Sequence, residues 1–184
     1  KASCGKAASR MEVKIDSPDP NTHAGEIICR GTNLMLGYYK DPEATAQIID
    51  KDGWLHTGDL GTMDNQGYVT IRGRSKNLLL SSSGHNIYPE EIESKLNNML
   101  YVSESLIVLQ NDKLVALIYP DFDEAFANGL QQPDIEKAME NNRIELNLQL
   151  PSYSQITKVK IHFEEFEKTA KKSIKRFMYQ EAKG

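Results

Sequence analysis

The stretch "GRSKNLLLSSSGHNIYPEEIE", Gly73–Glu93, decides how this chain is organised. Leu78–Leu80 read as a short buried strand. Ser81, Ser82, Ser83 and Gly84 end it in a bare polar loop. Order restarts at Pro89, a residue suited to the first turn of a helix, with Glu90 and Glu91 favourable near its positive end. Ile92, Leu96 and Met99 then recur at i, i+4 and i+7, one apolar face. Such a loop can be plain turn chemistry between strand and helix. It is equally what close approach to another backbone or a thin ligand demands, because Gly84 has no Cβ.

Upstream of this stretch the period is mostly two. Met11, Val13 and Ile15 alternate with Glu12, Lys14 and Asp16, "DSPDPN" breaks the strand, and Gly25–Arg30 resumes it. "KDPEATAQII" reads as one helix with Asp41 as N-cap and Pro42 behind it. Leu60–Met63 and Tyr68–Arg72 flank "DNQG" as a hairpin. Downstream, "SLIVLQNDKLVALIY" gives two apolar strands around the turn Gln110–Lys113. Pro133–Leu150 is a helix with Ile135, Ala138, Met139 and Leu146 on one side. Val159, Ile161 and Phe163 mark a last strand, and the basic tail "KTAKKSIKRFMYQEAK" is expected to be partly helical. The fold class expected is therefore α+β: the end of a β-barrel-like subdomain over residues 1–73, then a small α+β domain over residues 74–184. The first part is too small to bury its strand edges by itself and reads as the end of a larger domain. "KASCGKAAS" opens without a methionine and reads as the interior of a longer chain.

The 184 residues are 39% hydrophobic and 26% charged, ordinary for a globular protein. A formal net charge of −4 argues against nucleic acid as a partner. No apolar run approaches the ~20 residues that span a bilayer. Cys4 and Cys29 show no metal-ligand or disulfide-framework spacing, so no metal site is expected within the chain and a reducing, cytoplasmic setting fits.

Four stretches occur in order: "GEIICRGTNLMLGYYKDPEAT", "GWLHTGDLG", "GRSKNLLLSSSGHNIYPEEIE" and "FEKTAKKSIKR". Together they resemble the C-terminal third of the adenylate-forming enzymes: acyl-CoA synthetases, luciferases and peptide-synthetase adenylation domains. The wording of the third is most similar to bacterial long-chain fatty acid–CoA ligases. The resemblance implies ATP or AMP, CoA and Mg²⁺ as cofactors, with the metal ligand upstream of this chain. The partners it implies are a fatty acid, CoA and an upstream large domain of the same protein. A lipid substrate would add peripheral membrane contact.

The resemblance also assigns residues. Asp59 in "HTGD" would accept hydrogen bonds from both ribose hydroxyls, against the plainer reading that an Asp after Gly closes a turn. Arg74 would reach the nucleotide, against a solvated interdomain ion pair. Lys76 matches a hinge about which the C-terminal domain rotates as a lid, against a linker lysine at the surface. Ser83, Gly84 and His85 would line the pantetheine path of CoA. His56 reads as a packing or surface histidine before it reads as a nucleotide contact, and the carboxylates of "YPEEIE" are structural.

One motif departs from the family. Anchoring "TAKKSIKR" on Thr169, Ile174 and Arg176 puts Ser173 where the family carries a lysine that bridges carboxylate and α-phosphate, and Lys172 where it carries glycine. Lys172 takes the role after a one-residue shift, Lys171 or Lys175 substitutes, or adenylation is impaired; a solvated basic tail is the plain alternative. The first is carried forward, with Lys172 as the catalytic cation. The family's phosphate-binding loop and the magnesium-binding glutamate stretch do not occur, so the chain alone is expected to be inactive. Beside the ligase stand two other readings: a non-catalytic nucleotide- or partner-binding module, and an adenylation domain serving a carrier protein.

Overall fold

The computed structural model describes residues 3–180. The chain separates into two compact units, one ending at Asn77 and the next starting at Leu78.

The first unit is an antiparallel meander of four strands, β1 (Met11–Asp16), β2 (Gly25–Gly31), β3 (Leu55–Met63) and β4 (Val69–Arg74), in that order. Gly61 is where two strands and a side chain crowd: a Cβ there would lie 2.5 Å from the Thr70 carbonyl oxygen and 2.7 Å from Ile27 Cδ1. Helix α1 (Pro42–Ile48) joins β2 to β3, its Asp41 N-cap accepting from the Ala44 amide at 2.9 Å. The β3–β4 turn is tied by Asp64, whose Oδ1 accepts from the amides of Gln66 and Tyr68. Strand β3 starts five residues before the expected Leu60, because it pairs with β2 from Leu55 as well as with β4 from Asp59 onward.

The second unit opens with a hairpin of β5 (Leu79–Leu80) and β6 (Asn86–Ile87), then α2 (Pro89–Leu96). The three-leucine run is therefore not the buried strand expected. Only Leu79 is buried, and Leu80 is 63% exposed, since a two-residue strand points successive side chains to opposite faces. Strands β7 (Val102–Gln110) and β8 (Lys113–Pro120) pair antiparallel, and β9 (Lys158–Ile161) joins β8 in parallel. The parallel step needs a crossover, and α3 (Phe122–Ala127) and α4 (Gln132–Asn147) provide it. Sequence periodicity missed α3, which is too short to show a repeat.

Strands β7 and β8 read as continuous apolar runs because both faces of their sheet are covered. Ile107, Leu114, Ala116 and Ile118 face a core with Ile92 and Leu96 of α2 and Ile135, Met139 and Leu146 of α4. Leu106, Val108, Val115 and Leu117 face the other way, against Phe166, Ile174 and Tyr179 of the C-terminal tail. The tail is thus a second cover for the sheet. Among the described residues it is not the partial helix expected; it holds a tight turn and one short 3₁₀ segment, Arg176–Met178, and residues 181–183 of that stretch lie outside the described residues.

The tail is fastened at the edge strand β7. Arg176 Nη2 lies 2.7 Å from Glu93 Oε2 of α2, and its Nη1 donates to the Ile107 carbonyl at 2.8 Å. Glu93 Oε1 accepts from the Ile107 amide at 2.7 Å. Both side chains are 11% exposed. Burial pushes the Glu93 carboxyl above the usual range, while Arg176 and the Ile107 amide pull it down. A raised folded pKa binds the proton more tightly than the unfolded chain does, so that contribution is present in acid and lost as pH rises through the folded value. Arg176→Met, which strands the charge, should cost about 3–5 kcal/mol at neutral pH in urea unfolding of this unit. Near pH 4 the loss should shrink as Glu93 takes up a proton, and Glu93→Met/Arg176→Met should recover most of it. An equal loss at both pH values would remove the buried-charge explanation.

Candidate functional site

In the first unit, Thr57, Gly58 and Asp59 of β3 stand opposite the single residue Ile27 of β2, since Leu60 pairs with Glu26 and His56 with Ile28. This bulge is possible because Gly58 takes φ +70°, a left-handed conformation that costs glycine little. Thr57 Oγ1 donates to the Ile27 carbonyl at 2.6 Å and accepts from the Asp59 amide at 3.1 Å. Asp59 pairs across to Arg74 of β4, with Arg74 Nε 2.9 Å from Asp59 Oδ1. Arg74 Nη1 also donates to the Thr57 carbonyl at 3.3 Å. The structure therefore brings Asp59 and Arg74 together, with a half-buried carboxylate beside an exposed guanidinium. Lys76 is exposed on a 3₁₀ turn, Ser75–Asn77, immediately before the division between the units.

Beside the bulge lies a cluster that sequence reasoning did not assemble. Glu26 Oε1 accepts from the Gly58 amide at 2.9 Å, and its Oε2 lies 2.8 Å from His56 Nδ1. His56 Nε2 lies 3.8 Å from Asp50 Oδ2. The Asp50 carboxylate also accepts from the amides of Asp52 and Trp54 at 2.9 and 2.8 Å. The hydrogen bond to Glu26 raises the His56 pKa; burial opposes it and the charges of Glu26, Asp50 and Asp16 add to it. The Trp54 amide is the chief cause that lowers the Asp50 pKa. The one signal in the sequence was a glutamate inside the otherwise apolar start of "GEIIC".

In the second unit, Ser83, Gly84 and His85 sit at the tip of the β5–β6 hairpin. The Ser81 amide donates to the His85 carbonyl and the Gly84 amide to the Ser81 carbonyl, each at 2.9 Å. Ser81 Oγ accepts from the His85 amide at 2.9 Å; the Ser81 and Ser83 hydroxyls are 3.0 Å apart, as are Ser83 Oγ and His85 Nδ1. Gly84 has φ +79°, and a Cβ on it would meet nothing within 4 Å. Its backbone conformation, not crowding within the chain, is what calls for glycine. His85 stacks on Tyr153 at 4.5 Å and 11°.

Lys172 lies on a separate element, the tight turn Thr169–Ser173. The Lys172 amide donates to the Thr169 carbonyl and the Thr169 amide to the Ser173 carbonyl, both at 2.8 Å. Lys172 has φ +60°, a left-handed position where a non-glycine residue is strained by roughly 1–2 kcal/mol. Its neighbours are engaged: Lys168 with Glu104 at 2.6 Å, Lys175 with Glu167 at 3.5 Å, and Arg176 with Glu93. Among the described residues, Lys171 and Lys172 form no ion pair. No cluster of three or more His, Cys, Asp or Glu fit for a metal occurs among them either, and no helix is long and apolar enough to cross a membrane.

The AMP-binding enzyme C-terminal domain family matches residues 76–182. A 3-[(3aS,4S,7aS)-7a-methyl-1,5-dioxo-octahydro-1H-inden-4-yl]propanoyl:CoA ligase of Rhodococcus jostii is 49% identical over 104 residues, 56% of this chain and 19% of that protein. A 2-methylpropanoate–CoA ligase of Humulus lupulus is 34% identical over 181 residues, 93% of this chain and 31% of the relative. Among solved structures, o-succinylbenzoate CoA synthetase of Bacillus subtilis with its acyl-adenylate intermediate superposes with a TM-score of 0.75 at 25% identity, over 98% of this chain and 36% of that one. The chain thus spans about a fifth to a third of the length of these relatives.

The Glu26–His56 contact makes a measurable forecast. In an NMR titration the His56 ring should lose its proton above the ordinary imidazole value of about 6.5, and Glu26→Gln should bring that value down. Because the folded pKa is raised, the stability contributed by the pair is fully present below that ordinary value and fades as pH climbs through the folded one. A His56 titration unmoved by Glu26→Gln would show that the contact does not govern the ring.

Proposed function

Because the chain belongs to the AMP-binding enzyme C-terminal domain family, and its relatives are CoA ligases, we propose that it is the C-terminal part of an ATP-dependent acyl-CoA synthetase. The parent enzyme activates a carboxylic acid as its acyl-adenylate, releases pyrophosphate and passes the acyl group to the thiol of CoA. No protein nucleophile is needed, so catalysis consists of positioning and charge neutralisation. The observation that supports this reading best is the 2.9 Å pairing of Asp59 with Arg74 on a bulge tied by hydrogen bonds from Thr57 and Glu26. A carboxylate set in this way is ready to accept from the two hydroxyls of a ribose, with Arg74 beside it for the nucleotide. The residues present fit AMP or ATP in that respect; magnesium is assigned to the upstream part of the protein.

The remaining roles follow the same reading. The first unit is the end of the large AMP-binding domain and the second is its mobile lid, turning at Lys76. Lys172 neutralises charge during adenylation: among the described residues, it and Lys171 are the motif's cations without an ion pair. The Ser83–Gly84–His85 tip meets the pantetheine arm in the thioester step, where its left-handed glycine exposes backbone with no side chain in the way. Long-chain fatty acid is the substrate class we put first, on the wording of "KNLLLSSSGHNIYPEEIE". The named substrates of the relatives, a branched short acid and a fused-ring propanoate, make the acid the open variable.

A second reading has its own support. Ser173 carries no charge where the resembled motif has lysine, and Lys172 is strained where that motif has glycine. A non-catalytic nucleotide-binding module would tolerate both.

Pyrophosphate release by the full-length protein, with an acid panel from 2-methylpropanoate to long-chain fatty acids, separates these. Release with at least one acid, and thioester formed with free CoA, is expected; silence with every acid would favour the module, and thioester only on a carrier protein would favour a carrier-dependent adenylation domain. Lys172→Ala should slow pyrophosphate release by roughly 10²–10³-fold while sparing thioester formation from supplied acyl-adenylate. Unchanged release would take the role from Lys172.

A further inference from the structure

We infer that Glu26 and His56 are positioning residues for Asp59: the Glu26 carboxylate, braced by the His56 ring, pins the Gly58 amide and so selects the bulge conformation that aims the Asp59 carboxylate. The inference rests on the ribose-gripping role proposed above for Asp59.

The need for such a pin comes from Gly58. A glycine at φ +70° has many other accessible conformations, so the bulge does not hold itself. Thr57 Oγ1 ties the Asp59 amide to the Ile27 carbonyl on one side of Gly58. The Gly58 amide itself is held by Glu26 Oε1 at 2.9 Å, a charge-assisted bond stronger than a neutral one. Glu26 would be a loose pin alone, since its side chain has three torsions. Its other oxygen is engaged by His56 Nδ1 at 2.8 Å, and Asp50, fixed by two backbone amides, faces the far side of the ring. A line therefore runs from Asp50 through His56 and Glu26 to the Gly58 amide, one residue before Asp59. The His56 pKa raised by Glu26 agrees with a strong contact in that line. Glu26 comes from β2 and His56 from β3, so the device also locks the register on either side of the bulge. Neither residue is called on to touch nucleotide; each acts through the backbone that carries Asp59.

The test uses the full-length enzyme with ATP, 2′-deoxy-ATP and 3′-deoxy-ATP. Glu26→Ala should raise the KM for ATP about tenfold, with kcat at saturating ATP held within about twofold, and should flatten the preference for ATP over the deoxy analogues. Glu26→Gln, whose amide oxygen still accepts from Gly58, should restore most of both. His56→Ala should shift both in the same direction by less, and carries the test should Glu26→Ala not fold. In the full-length protein, hydrogen exchange at the Gly58 amide should quicken in Glu26→Ala and stay slow in Glu26→Gln. If Asp59→Asn loses ribose discrimination while Glu26→Ala and His56→Ala keep it, positioning by this pair is overturned and the ribose role of Asp59 stands. If Asp59→Asn keeps discrimination, that role falls and the inference with it. Unchanged Gly58 exchange in Glu26→Ala also overturns it.

Discussion

The second unit depends on what happens at one residue of an edge strand. Ile107 turns its backbone amide and carbonyl away from β8, where an open sheet edge would otherwise present them to any passing strand. Glu93 takes the amide and Arg176 the carbonyl, and the two side chains pair with each other. A helix, the sheet edge and the C-terminal tail are joined in one contact. Because the pair is nearly buried, its worth lies less in net attraction than in the penalty for separating it. That penalty gives the tail a defined place, and the tail in turn covers the apolar face of Leu106, Val108, Val115 and Leu117.

This clamp also holds a short basic turn in place. Between the anchors at Lys168 and Arg176, the turn Thr169–Ser173 is closed by its own backbone bonds and offers Lys171 and Lys172 outward. The cations on either side are tied to carboxylates, so positive charge is concentrated at the tip. The first unit solves a similar problem by other means. There the strand departs from register at Gly58 beside Asp59, and the bulge is held by side chains from two strands.

Much of this was legible in the sequence for a simple reason: periodicity and caps are local. The alternation of Met11, Val13 and Ile15, the Asp41–Pro42 helix start, the Gln110–Lys113 turn and the α2 and α4 faces all follow from neighbours along the chain. Asp59, Arg74, the Ser83–Gly84–His85 tip and Lys172 were singled out as candidates through short motifs, which are local too. The three leucines misled because an apolar run does not say how long its strand is, and pairing with Asn86–Ile87 stopped it at two residues. The tail misled because its course is set by contact with a sheet face far away in sequence, which no local pattern shows.

By itself the sequence determined most of the longer elements, the α+β class and the identity of the polar groups at each loop. Only the tertiary structure decided which of those groups meet. Arg176 and Glu93, Glu26 and His56, and Arg74 and Asp59 are separated along the chain by distances that no local pattern encodes. Their pairing follows from strand register and burial, where a charge removed from water must find its partner or leave the fold strained.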